Sequence, residues 1–362
     1  MSPEVLFVFF TSTSSLLVPP PSTHLNHYID ILKSRHVQHN MDSKLRCIGK
    51  GFCGSVWAAN DEINTQAQAI KREDGGPGRS LTNDFNMHVK TSESITHFKL
   101  TTPLLIPKCY GLINDTDDAW WRENLSKFPP GYTRCKSLIS ERIPAFSRPV
   151  RERLVDNFCP SELADFIKSN PGDADSLVRP YLGRRRIIRP SRFRRFSLRN
   201  YPLHLDQMEL LGLPTESYAR AMAEALALMH WSANVDGNDV EFVLAPPRGG
   251  EGSRQRPFSS DVLGTHAIWM LDFDCCRSMS LDLAGVEQAC NAFFKNDPFF
   301  PRPSSTSEDQ QLWTVFHQKY LETSKSVVGN DGSIAALPDL LISMIEKRVV
   351  EMQHHKGMIE RD

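Results

Sequence analysis

IGKGFCGSVWA, Ile48–Ala58, carries three glycines at G-x-G-x-x-G spacing: Gly49, Gly51 and Gly54. Val56 follows two residues after the last of them. Glycine lets backbone N–H groups approach an anion with no Cβ in the way. The pattern alone is weak, because any glycine-bearing hairpin can show it. Its context narrows the reading. Apolar residues alternate before the loop (Leu45, Cys47) and after it (Val56, Ala58), so it joins two strands. A dinucleotide-binding loop runs from strand to helix, and a P-loop needs G-K-[ST] after its last glycine. Neither condition holds here.

Outward from the loop, QAQAIK reads as the antiparallel return strand and ends in Lys71, fifteen residues after Val56. A kinase-like fold places there the lysine that grips nucleotide phosphates. The loop, Val56 and Lys71 together resemble the protein-kinase superfamily over Leu45–Lys71. That resemblance implies an acidic partner on the next helix. GGPG, Gly75–Gly78, breaks regular structure. After it Leu81, Phe85, His88 and Val89 space as a helix to about Ile95, and Asp84 on it is the candidate partner. The alternative is a solvated first-turn acid that complements the helix dipole. Two strand-like stretches follow, TPLLIPKCYGLI and YTRCKSLISERI, separated by a polar Trp- and Pro-bearing insertion, Asn114–Gly131. By order along the chain, Ser140–Pro144 with Glu141 takes the place of the hinge that meets adenine.

The rest of the chain reads as mainly helical. Pro214–Trp231 and Asp339–Met352 carry apolar stripes at helical spacing, and two short apolar strands, EFVLA and AIWMLDF, lie between them. Kinases carry a catalytic Asp, a metal-binding Asn five residues on, an apolar strand, and a second metal-binding Asp. The matching positions here are Asp236, Glu241 and Asp272. An Asp near the acceptor hydroxyl takes its proton, and carboxylate oxygens hold Mg²⁺ against the phosphates. Asp239 rivals Asp236, whose alternative is an ordinary turn residue. Glu241 could instead be the polar-facing residue of a strand, and Asp272 could simply cap a turn. The departures from the protein-kinase pattern are clear. Asn234-Val235 replaces His-Arg, Glu241 replaces Asn, Asp274 replaces the glycine of D-F-G, and no A-P-E segment follows. His230 reads as a structural histidine near a helix end.

Longer motifs extend the resemblance over about residues 45–350: NDFNMH, SERIPAF, SLRNYPLHLDQMELLGL, MAEALALMHW, DVEFVLA, WMLDFDCC and NDPFFPRP. Together they are similar to an uncharacterised fungal family built on a domain of unknown function, whose members are often labelled zinc finger proteins. The residues give that label no support. The eight cysteines are scattered, with no C-x-x-C pair, and no zinc is expected.

Arg184–Arg199, RRRIIRPSRFRRFSLR, holds eight arginines in sixteen residues. It reads as an exposed basic insertion, or as a docking site for an acidic partner. Lys+Arg total 42 against 43 Asp+Glu, so the whole chain carries no nucleic-acid footprint, and nucleic acid is not expected as a partner. The apolar run Val5–Phe10 is too short to span a bilayer, and dispersed thiols fit an intracellular compartment, cytoplasmic or nuclear.

The expectation is therefore an α+β, bilobal, protein-kinase-like fold with a β-rich small lobe and a mainly helical large lobe. Residues 1–40 form a disordered tail, 41–145 the small lobe, and 146–362 the large lobe. The large lobe carries insertions near 184–199 and 246–261. The expected function is an ATP/Mg²⁺-dependent phosphotransferase with divergent motifs, acting on a small-molecule or protein acceptor. Gly49, Gly51, Gly54, Val56, Lys71, Asp84 and Glu141 would hold the nucleotide, Asp272 and Glu241 the metal, and Asp236 would be the base. One alternative is a catalytically inactive pseudokinase-type binding module. A weaker one is a nuclear protein contacting nucleic acid through the Arg-rich stretch.

Overall fold

The computed structural model describes residues 44–59, 67–186, 196–249, 256–329 and 332–359. The expected N-terminal tail, the centre of the Arg-rich stretch and the middle of the 246–261 loop lie outside the described residues.

The glycine loop joins β1 (Leu45–Lys50) to β2 (Ser55–Ala59), and β3 (Gln68–Arg72) returns antiparallel. Helix α1 (Leu81–Phe98) follows, capped by the Ser80 side chain at the Asn83 N–H. Next come β4 (Leu104–Leu105), β5 (Cys109–Ile113), α2 (Asp118–Asn124) and β6 (Ser137–Glu141). Five of these strands make one antiparallel sheet in the order β1-β2-β3-β6-β5. Strand β4 does not join it. It pairs in parallel with a strand of the second sheet, so TPLLIPKCYGLI divides between two sheets at Ile106-Pro107-Lys108. The Trp- and Pro-bearing insertion is more than a polar loop. It folds as α2 and a 3₁₀ turn, and its Trp121 and Phe128 pack on Trp57, Ile70 and Ile139 of the sheet. Aromatic rings bury large apolar areas, so this insertion supplies much of that sheet's core.

The second part holds α3 (Arg148–Phe158), α4 (Ser161–Ser169), β7 (Val178–Tyr181), β8 (Tyr201–His204), α5 (Leu205–Leu210) and α6 (Thr215–Trp231). These lead to β9 (Glu241–Ala245), β10 (Phe258–Ser260), β11 (Gly264–Leu271), α7 (Leu283–Lys295), α8 (Ser307–Val328) and α9 (Leu337–Ile359). It is not purely helical, since β10-β11-β9-β7-β8 form a sheet of their own. Helix α6, rich in Ala, Met and Leu, is buried from Ala221 to Trp231. It packs along α8, where the Tyr320 hydroxyl meets His230 Nδ1 at 2.9 Å and accepts from Trp231 Nε1 at 2.7 Å. Glu224, buried on α6, accepts from the backbone and hydroxyls of Thr101 and Thr102 at 2.6–3.0 Å. Four donors satisfy a carboxylate that burial would otherwise penalise, and they tie the end of α1 to α6. At the edges of the Arg-rich stretch, Arg185 pairs with Glu209 and Asp309, and Arg186 with Asp206. No described helix is long and apolar enough to cross a membrane.

Candidate functional site

In the β2–β3 ladder Val56 stands opposite Lys71. Side chains alternate faces along a strand, so Lys71 and its neighbour Arg72 leave β3 on opposite sides. Lys71 Nζ donates to Asp84 Oδ2 at 2.6 Å and to Asp272 Oδ1 at 2.7 Å. Asp84 comes from the first turn of α1, and Asp272 follows β11. Three elements scattered over 201 positions of sequence separation thus meet at one ammonium group. Burial disfavours the Lys71 charge, but Asp272 and Asp84 outweigh it and hold the group well above its ordinary range. The other oxygen of Asp84 accepts the Phe273 N–H at 3.1 Å. Asp272 sits at φ +64°, a conformation uncommon for a non-glycine residue and frequent at functional turns.

Helix α1 grips the segment after Asp272 at two further points. Asn83 Nδ2 donates to the carbonyls of Asp274 and Cys276, each at 2.9 Å. Arg79 Nη1 reaches Asp239 Oδ2 and Asp274 Oδ1, each at 2.8 Å, and Cys275 Sγ at 2.5 Å. Asp274 is buried. Burial, then the neighbouring Asp272 charge, raises its pKa against the pull of Lys71 and Arg79.

The glycine loop is held from below. Gly51 N–H donates to Gly54 O at 2.8 Å, and the N–H groups of Gly75 and Gly76 donate to Cys53 O and Phe52 O. Gly54 has φ +149°, and a Cβ there would lie 2.1 Å from Arg72 O. Gly49 packs its open face on Val56. The Phe52 ring at the tip is 80% exposed, with Arg79 Cζ 5.7 Å from its centroid. A cavity of about 390 Å³ also touches this loop. It is lined by Lys50, Gly51, Gly54, Arg72, Asp74 and Tyr132, which puts it on the Arg72 side of the sheet, opposite Lys71.

The remaining expected residues have other partners. Asp236 is 5% exposed. Its Oδ1 accepts from Arg277 N at 2.8 Å and Asn238 N at 3.1 Å, and its Oδ2 from Gln288 Nε2 at 2.9 Å. Asn238 lies in the turn V-D-G-N-D, while Arg277 and Gln288 come from beyond β11, and none of the three partners belongs to the Lys71 cluster. Asp239, the rival, is half-exposed and shares Arg79 with Asp274. Glu241 starts β9, and Arg179 Nη2 contacts its two oxygens at 2.5 and 2.6 Å. Burial raises its pKa to about 7, against the Arg179 charge and with the Asp272 charge. Glu141 ends β6, paired with Gln68. Its carboxylate accepts from Arg248 Nε and Nη2, each at 2.6 Å, and from Lys108 N at 3.0 Å. The geometry therefore brings Lys71, Asp84 and Asp272 together, while Asp236 is held by Asn238, Arg277 and Gln288 and Glu141 by Arg248 and Lys108. Arg79 and Arg179 went unread in the sequence. Arg79 lies one residue past GGPG, and that adjacency to the loop's supporting strap was the available signal.

A family model described as a zinc finger protein, the domain of unknown function DUF3669, matches residues 268–332, from β11 past the end of α8. No curated protein matches the chain. Among solved structures, the chain is similar to the maize SIRK1 (sucrose-induced receptor kinase 1) kinase domain, a crystal structure bound to AMP-PNP. The identity is 13% and the TM-score 0.29, over 88% of this chain and 83% of that one. Structural zinc needs four ligands, with its thiols deprotonated. Among the described residues, the group of three metal-ligating side chains that converges is Asp239, Asp274 and Cys275, within 4.8 Å of one another. Its single thiol is pushed up to about 11, first by burial, and Arg79 already stands among its atoms. These residues do not fit a structural zinc.

Proposed function

We propose that the chain is a bilobal, kinase-like protein that binds ATP with Mg²⁺ between a small lobe of about residues 41–145 and a large lobe beyond it. The observation that carries this reading is Lys71 bridging Asp84 on α1 and Asp272 after β11. A structural ion pair needs one acid. A lysine held by two, one of them partly exposed and at positive φ, is poised to exchange an acid for another anion. Lys71 and the backbone of Gly49–Gly54 would hold phosphates, with Asp84 keeping Lys71 in place. Asp272 offers the hard oxygen ligands that Mg²⁺ prefers, and the metal would supply charge neutralisation at the phosphates. Gly51, whose Cβ position meets nothing within 4 Å, leaves the loop backbone open to an anion, while Gly54 lets the loop pack on Arg72 O and Asp74.

A thermal-shift titration with ATP, with and without Mg²⁺, tests this. The expected result is Mg²⁺-dependent stabilisation that disappears in Asp272→Ala. No shift at millimolar nucleotide would sink the reading.

A second reading, the binding module without phosphotransfer, is favoured by one specific feature. Asp236 already accepts three hydrogen bonds, one from Asn238 in its own turn and two from Arg277 and Gln288 further along the chain, and Arg179 occupies Glu241. On this reading ATP stabilises the protein but is neither hydrolysed nor transferred. Release of ADP on incubation with candidate small-molecule or protein acceptors would decide against it.

A further inference from the structure

The segment between β3 and α1 links two things that a nucleotide site needs to keep separate: the tip of its glycine loop and its acidic centre. Gly75 and Gly76 hydrogen-bond the loop tip at Cys53 and Phe52. Gly78 then turns the chain at φ +90°, and Ser80 caps α1. Arg79 stands between these two fixed points. Its guanidinium lies under the exposed Phe52 ring and reaches both Asp239 and Asp274. One arginine therefore bridges two carboxylates, Asp239 and Asp274, and it does so from the strap that carries the loop. Two like charges in a part-buried site repel each other unless a cation lies between them. A divalent cation and this guanidinium cannot both take that position.

We propose that Arg79 is an internal counter-cation that holds the site shut: it occupies the charge position at Asp239 and Asp274 and draws the glycine loop down through Phe52. The inference rests on the nucleotide-site reading, and it adds that a cation drawn to Asp239 and Asp274 must displace Arg79 and so end its contact with the Phe52 ring. Arg79 acts through the carboxylates and the loop, and is a gating rather than a catalytic residue.

The test uses Mn²⁺ alone, followed by loss of the free-ion EPR signal on the full chain. Arg79→Gln is expected to bind Mn²⁺ about five-fold or more tightly than the unaltered protein, the size of a modest coupling between two sites. The pair Arg79→Gln with Asp274→Asn is expected to lose that gain. Unchanged or weaker Mn²⁺ binding in Arg79→Gln overturns the proposal. If Arg79→Gln does not fold, Phe52→Ala at an exposed side chain carries the same test. A gain of about two-fold is expected from the lost cation–π contact, and no gain overturns the proposal. A parallel ATP/Mg²⁺ thermal shift separates the two readings. A Mn²⁺ gain with no nucleotide response in either protein keeps Arg79 as counter-cation and removes the nucleotide reading. A nucleotide response that weakens in Arg79→Gln, with no Mn²⁺ gain, makes Arg79 a phosphate clamp and ends the proposal.

Discussion

Lys71 and Arg72 are adjacent, carry the same charge, and face opposite sides of β3 into different company. Lys71 meets two carboxylates brought from α1 and from the end of β11. Arg72, 1% exposed, meets one carboxylate, Asp74, at 3.1 Å, and donates to the Thr133 carbonyl. The rest of its surroundings are aromatic. Its Cζ lies 4.6 Å from the Phe128 centroid, 5.3 Å from that of Tyr132 and 5.5 Å from that of Trp121. One cation is surrounded by counter-charges that another anion could replace. The other is flanked by three rings that no ion exchanges for, and its residue also borders the cavity that touches the glycine loop. A buried charge marks a site only when its partners can be exchanged; otherwise it is a part of the core.

The largest effect should come from breaking the ring-flanked side. Arg72→Ala removes the planar cation from three rings and leaves Asp74 with its Ser55 bonds alone. Loss of a buried, hydrogen-bonded charge and of its aromatic contacts costs about 4 kcal/mol. Urea denaturation should show that drop, with any Mg²⁺-nucleotide shift kept in whatever fraction stays folded. If stability holds and the nucleotide response goes, Arg72 is the ligand-facing cation and Lys71 the structural one. Arg72→Lys restores the charge without the planar fork and should recover less than half of the loss.

Lys71→Met makes the opposite test. Asp84 keeps its bond to the Phe273 N–H, and Asp272, partly exposed, can turn to water. The stability loss should be smaller, about 2–3 kcal/mol for a part-buried triad that loses its centre. The nucleotide response should vanish entirely. A Lys71→Met protein that still responds to ATP would place the phosphates elsewhere, and the cavity on the Arg72 side would be the first place to look.

The two sides were unequally legible in the sequence. Lys71, the glycine loop and Asp272 could be read because their chemistry is local: a hairpin fixes Val56 against Lys71, and a buried strand delivers Asp272. Asp84 was legible as the acid in the first turn of the helix that follows. Arg72 was not, because two of its rings, Trp121 and Phe128, arrive from the Asn114–Gly131 insertion, whose polar composition hid the fact that they face the sheet. The partners of Asp236 were hidden for a similar reason. The register of the apolar strand EFVLA put it at the place of a catalytic Asp, but Arg277 and Gln288, which hold it, come from about 40–50 residues further along. The division of TPLLIPKCYGLI between two sheets was hidden as well, since two leucines pair as readily with β11 as with a neighbour of β5. Hydrophobic periodicity gives an element's inner face, not which element covers it.

A third buried base sharpens the comparison with the smallest effect. His230 is as buried as Arg72, but Tyr320 is its hydrogen-bond partner and no carboxylate among the described residues pairs with it. Burial therefore wins, and its pKa falls to about 4. A histidine lowered on folding takes up its proton in the unfolded chain first. The stability it contributes is complete above the unfolded value near 6.5 and declines as the pH falls toward about 4. Between about pH 6.5 and pH 5 the loss should be about 1–2 kcal/mol. His230→Gln, which can still hydrogen-bond Tyr320 but cannot titrate, should flatten that part of the Tm–pH curve by the same amount. An unchanged slope would mean that His230 titrates alike in the folded and the unfolded protein, and that burial without an acid does not suffice to lower the pKa of a base in this core. The contrast between Lys71 and Arg72 would then have to be drawn from hydrogen bonding rather than from counter-charge.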